Sequence, residues 1–142
     1  MADFKALNYT KTLAVPAQAV DGGDYGGRTR HVYDEYVTTG AETTNDRIFV
    51  GTLDPGERVL DGWVLYGALG ETVTLKLGDA ADDDRLMRAT SCWFASVTRL
   101  NVATGLGHKV QGAARVPLFL TIGGGTVAAG QAIRVHIAIG RD

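Results

Sequence analysis

Three histidines, His31, His108 and His136, are the side chains best suited to metal binding or general-base work. Zinc and iron sites need two or three converging ligands. On a strand every second residue shares a face, so His31 and Glu35 would lie together while Asp34 would point away. No H-x-H pair and no H-E-x-x-H run is present. Asp79, Asp82, Asp83 and Asp84 could offer oxygens to calcium, but EF-hand order and the closing glutamate are missing. A solvated loop or a helix cap is the favoured reading of that cluster. Gly123-Gly124-Gly125 is followed by no lysine at P-loop spacing. Cys92, beside Trp93 and Phe94, reads as a buried small hydrophobe rather than a nucleophile. Ser91 and Ser96 lack a glycine-flanked elbow. Asp34 and Glu35 diverge on a strand and make no glycosidase pair. No catalytic set, metal site or cofactor is therefore expected, and the chain reads as a non-enzyme.

The aromatic residues offer binding rather than catalysis. Tyr33 and Tyr36 fall on opposite faces of one strand, as do Trp63 and Tyr66 of another. Outward rings could stack on sugars or dock on a partner. Core filling competes with that use and is the favoured reading for Trp63.

These residues must be positioned by strands. Arg30–Thr39 and Asp46–Leu53 are rich in β formers, and Asp54-Pro55-Gly56-Glu57 is a turn. Arg58–Gly67 and Glu71–Gly78 follow, the second with Val73, Leu75 and Leu77 on one face. Asp79–Ala95 opens with acids and continues with helix formers, which predicts a short helix starting near Asp82 or Asp83. Ser96–Val102 and Arg115–Ile122 read as further strands, with Pro117 marking an edge or a bulge. The last strand sets Ile133, Val135, Ile137 and Ile139 against Ala132, Arg134, His136 and Ala138. Seven or eight short strands with turn signals indicate an antiparallel sandwich or barrel.

Residues 1–27 differ from this body, residues 28–142. Phe4, Leu7, Tyr9, Leu13 and Val15 make the segment too apolar for a loose tail, and Pro16 and the cluster Gly22, Gly23, Gly26 and Gly27 break it. Two readings stand level: an extended arm that docks elsewhere, or a strand folded onto its own domain.

The chain has 142 residues and 15.0 kDa, the size of one domain. Its 19 glycines are about twice the usual share and suit tight turns between strands. A net charge of −2 supplies no basic excess for nucleic acid. No apolar run approaches the roughly 20 residues of a membrane helix, so no membrane partner is expected. A single cysteine allows no intrachain disulfide, which suits assembly in a reducing cytoplasm.

The order of short strings then carries a resemblance. Asn8, Tyr9, Lys11, Thr12 and Leu13 form N-Y-x-K-T-L, followed by Y-G-G-R at 25–28, V-Y-D-E-Y at 32–36 and I-F-V-G-x-L-x-x-G-x-R-V-L-D at 48–61. This resembles the small cement, or decoration, proteins of tailed-bacteriophage capsids, most closely over residues 1–66. The resemblance implies a jelly-roll-like all-β sandwich with an extended N-terminal arm. It implies a structural protein on the outer surface of the virion that bridges neighbouring major capsid protein subunits and stabilises the head. The implied partners are the major capsid protein and further copies of the chain, as a homo-dimer or homo-trimer. Phe4, Leu7, Tyr9, Leu13 and Val15 would be the capsid-binding arm. Two other readings remain: a carbohydrate- or receptor-binding module using Tyr33, Tyr36, Trp63 or Tyr66, and a cupin-type enzyme using His31, Glu35 or His136 with a metal.

Overall fold

The computed structural model describes residues 1–16 and 29–141, apart from the side chains of Leu7 and Asn8. The elements are β1 (Asp3–Lys5), α1 (Leu7–Leu13), β2 (Thr29–Val37), β3 (Arg47–Leu53), β4 (Glu57–Tyr66), β5 (Thr74–Gly78), β6 (Met87–Ser91), β7 (Ser96–Arg99), β8 (Val116–Gly123) and β9 (Ala132–Arg141). They form two sheets, β1-β3-β8-β5-β6 and β2-β9-β4-β7. The pairs β2–β9, β3–β8, β4–β7 and β5–β6 are nested and antiparallel, as if one long hairpin had been wound into a sandwich. This is the jelly-roll arrangement, in which two sheets share one core.

Alternation decides which residues meet in that core. Ile133, Val135, Ile137 and Ile139 of β9 face inward against Val59 and Val64 of β4, and all are buried. Leu75 and Leu77 of β5 and Leu118, Leu120 and Ile122 of β8 close the core from the other sheet. Burying a Leu, Ile or Val side chain stabilises by about 1.5–3 kcal/mol, so this cluster is the main source of stability. The expected turn is present: Gly56 has φ of +86°, and the Glu57 amide donates to the Asp54 carbonyl at 3.0 Å. Pro117 lies on β8 beyond the stretch paired with β5, where its missing amide leaves no gap in that ladder.

Two expectations are corrected. No helix forms near Asp82. Asp79 Oδ1 instead accepts the amides of Ala81 and Asp82, at 2.9 and 3.0 Å, and closes a tight turn. The helix formers after it become β6, because Met87 pairs with Leu77 and is fully buried. Tertiary pairing overrides weak local preference here.

The described N-terminal residues are not an extended arm. β1 pairs in parallel with β3, from Asp3↔Arg47 to Lys5↔Phe49, and α1 packs against β2 and β3. Ala6 is buried, and its amide donates to the Phe49 carbonyl at 2.9 Å. Asp34 takes up the free Tyr9 amide of the first helical turn at 3.2 Å. Of the two level readings, the segment folded onto its own domain describes residues 3–13. The cluster Gly22, Gly23, Gly26 and Gly27 lies outside the described residues.

Candidate docking surface

Among the described residues, the three histidines join no cluster of metal-ligating side chains. His31 and His136 share the outer face of the four-stranded sheet, but His31 opposes Ala138 and His136 opposes Tyr33. His31 and Glu35 do share that face, as their spacing requires, with Asp34 turned inward and buried. His108 lies in the 100–115 connection and lines a separate cleft of about 380 Å³ beside Arg85 and Leu86. Asp82, Asp83 and Asp84 cluster on the surface, and Asp83 pairs with Lys76 at 2.8 Å. A hydrogen bond shared with Asp82 raises the Asp84 carboxyl above its ordinary value. Cys92 is buried, and burial pushes its thiol up to about 12, so it does not serve as a thiolate at neutral pH.

What the structure does present outward is apolar. β4 carries a bulge between Val59 and Asp61, after which Trp63 faces out and Val64 faces in. Trp63 is 42% exposed, against the core-filling expectation, because its neighbours on the outer face are side chains rather than a second layer. The register sets Tyr33, His136, Trp63 and Arg99 in one row across β2, β9, β4 and β7. His136 is 4.8 Å from the Tyr33 ring and stacks on Trp63 at 5.4 Å. A cleft of about 280 Å³ opens beside them, with His31, Asp61 and Ala138 on its walls. Asp61 holds Arg99 at 3.0 and 2.5 Å. Tyr36 and Tyr66 are corrected as surface aromatics. Tyr66 is buried with its hydroxyl 3.0 Å from Thr98 Oγ1, and Tyr36 packs on the core and donates to Glu42.

The aromatic neighbours of Cys92 form a second outward apolar feature. In the β6–β7 loop Trp93 and Phe94 are 48% and 70% exposed, with rings stacked at 5.0 Å. Cys92 causes this. Its amide bonds the Val73 carbonyl, its carbonyl takes the Leu69 amide and its side chain fills the core, so the next two residues are turned out. Val97 on β7 is 56% exposed and shares a shallow groove with Asp61, Trp63 and Arg99. The Trp-Phe pair signalled at most one outward ring, since adjacent residues of an extended chain face opposite ways, and nothing in the sequence marked both as outward.

The expected arm residues divide. Phe4 packs 6.0 Å from the Tyr36 ring, and Tyr9 stacks on Phe49 at 5.4 Å, so both are engaged by their own domain. Leu13 and Val15 are 52% and 97% exposed. The Leu7 side chain lies outside the described residues.

No protein-family model matches the sequence, and no curated protein matches it. Solved structures do match the fold. One chain in the capsid of Ralstonia phage GP4 is similar over 99% of this chain and 99% of its own length, with a TM-score of 0.78 and 14% identity. A chain in the capsid asymmetric unit of cyanophage Pam1 is similar over 87% of this chain and 92% of its own, with a TM-score of 0.67 and 22% identity. A chain in the acidic stable capsid of Helicobacter pylori bacteriophage KHP30 matches 82% of this chain and 90% of its own, with a TM-score of 0.55 and 7% identity. At these identities the likeness is one of fold: the same sandwich occurs in three phage capsids.

Proposed function

We propose that the chain is a structural protein of a tailed-phage virion, seated on the outside of the capsid, where it bridges neighbouring major capsid protein subunits and stabilises the head. The observation that carries this reading is the match end to end, 99% of each chain, with a chain of a phage capsid. The likeness covers nearly the whole of both chains rather than a shared part of them.

The exposed groups suit the role. A bridging protein needs a body that does not deform and side chains that gain by being covered. The sandwich supplies the first. Leu13 and Val15, at the end of a helix anchored by Tyr9 and Asp34, supply part of the second. Because α1 is already ordered on its own body, docking through its end avoids the roughly 1–2 kcal/mol per residue that ordering a free arm would cost. Many copies on one shell raise avidity without new contacts.

The test is co-sedimentation of the purified chain with capsids of the encoding phage prepared without it. Saturable binding with a gain in particle heat resistance is expected. The double variant Leu13→Asp/Val15→Asp should keep the circular dichroism of the sandwich and bind at least tenfold more weakly. Absence of binding by the unaltered chain overturns the capsid role. Undiminished binding by the double variant removes α1 from the contact.

A further inference from the structure

A sandwich has four sheet edges, and an uncovered edge strand is a template for pairing with another chain. Three edges here are guarded. β1 is three residues long and turns Asp3 and Lys5 outward. β2 is overlaid by α1, with the Asp34 carboxylate taking the amides of Tyr9 and Glu35. β6 is flanked by residues 101–102: Leu86 accepts the amides of Asn101 and Val102, and Arg88 donates to Asn101 Oδ1 at 3.3 Å. β7 has no such cover. Ser96–Arg99 contains no proline, lysine or bulge, and no other described residue hydrogen-bonds the side of its backbone facing away from β4.

The register of β7 defines what could pair with it. The Leu100 amide donates to the Gly62 carbonyl at 2.9 Å, so the hydrogen-bonded partners along this antiparallel ladder are Leu100 with Gly62, Thr98 with Val64 and Ser96 with Tyr66. The amides and carbonyls of Val97 and Arg99 consequently point away from β4, while their side chains stay on the outer sheet face. A second β7 placed antiparallel about a two-fold axis at Val97 aligns Val97 with its own copy and Arg99 with Ala95. Both alignments are of the hydrogen-bonded kind. No like charges meet: Arg99 faces an alanine and is already neutralised by Asp61. The exposed Val97 side chains come together. Each Trp93–Phe94 loop is carried alongside the partner's β7 near its Arg99, where a guanidinium and aromatic faces attract. One operation thus pairs the open backbone and covers Val97, Trp93 and Phe94, the exposed apolar residues of this edge.

We propose that the chain self-associates through β7, two copies pairing antiparallel across Ser96–Arg99 into a dimer whose four-stranded sheets join as one eight-stranded sheet. The contact is isologous and closes at two copies. It gives a geometry to the self-association implied for a cement protein, but it rests on backbone register rather than on the capsid role.

The test is sedimentation equilibrium of the full chain without capsids. Twice the 15.0 kDa chain mass is expected. Val97→Pro removes an outward amide and no internal ladder bond, and Val97→Lys places a charge on the edge without altering the backbone. Both should sediment as monomers, and Val97→Lys should do so with an unchanged thermal unfolding curve at dilution. Val37→Lys, on the guarded β2, should stay dimeric. In the unaltered protein the Val97 and Arg99 amides should exchange hydrogen slowly at high concentration and fast in Val97→Lys. An unaltered chain that is monomeric throughout, one that is trimeric, or a Val97→Lys variant that remains dimeric would overturn the proposal. Loss of capsid binding with the dimer intact would count against the capsid role alone.

Discussion

Glu42 shows how one side chain can hold a connection in place. It is fully buried between β2 and β3 and accepts hydrogen bonds from the Tyr36 hydroxyl, the Thr39 amide and hydroxyl, and the Gly40 amide. Burial by itself would raise its carboxyl, but these donors outweigh that and lower it from 4.5 to about 2. Burial and the same carboxylate raise the Tyr36 phenol. Because the folded carboxyl binds its proton more weakly than the unfolded one, Glu42 stabilises the fold above about pH 4.5. The contribution disappears as the pH falls towards 2. A shift of this size corresponds to about 3 kcal/mol. Glu42→Gln should therefore lower urea stability by about 2–3 kcal/mol at pH 7, with the gap to the unaltered protein closing towards pH 2. A pH-independent gap would contradict the assignment. None of this was legible beforehand, since a lone glutamate in Thr39–Thr43 carries no pattern. Cys92, in contrast, was read as a core residue from its aromatic neighbours; it is buried, but Trp93 and Phe94 themselves face solvent.

Among the elements, β5 and β9 were legible because a residue pointing the wrong way would expose an isoleucine or a leucine, and strict alternation leaves one solution. The turn at Asp54–Glu57 was legible because Pro55 and Gly56 each have a conformational reason to be there. Residues 79–91 were not, since their helix preference amounts to a few tenths of a kcal/mol per residue and burial of Met87 outweighs it. The N-terminal segment was half legible. Phe4 and Tyr9 need burial, but that need does not say in which molecule, and parallel pairing of β1 with β3 has no local signature. The bulge of β4 adds a further expectation. A Cβ on Gly62 would sit 2.4 Å from the His136 carbonyl oxygen and 3.2 Å from Ile137 Cα, both backbone atoms of the adjoining strand. Gly62→Ala should cost about 1–3 kcal/mol in chemical denaturation and disturb the stacking of Trp63 on His136, visible in tryptophan fluorescence. A neutral Gly62→Ala would mean that β4 and β9 separate here more easily than the ladder implies.

For the whole molecule, the nested strand order makes one sandwich, and two groups of exposed apolar residues lie on separate regions of it. Leu13 ends α1 and Val15 follows it, while Trp93, Phe94 and Val97 belong to the β7 edge. A protein with two such regions can hold a copy of itself with one and a shell with the other, which is what bridging between capsid subunits requires. The most direct measurement is a cryo-electron microscopy reconstruction of the encoding phage's capsid with and without this chain. Density for the sandwich is expected on the outer surface, astride boundaries between neighbouring capsid subunits, lost from particles made without the chain and restored on adding it. A shell whose density is unchanged by the chain, or a sandwich found only on the tail or the inner surface, would contradict this expectation.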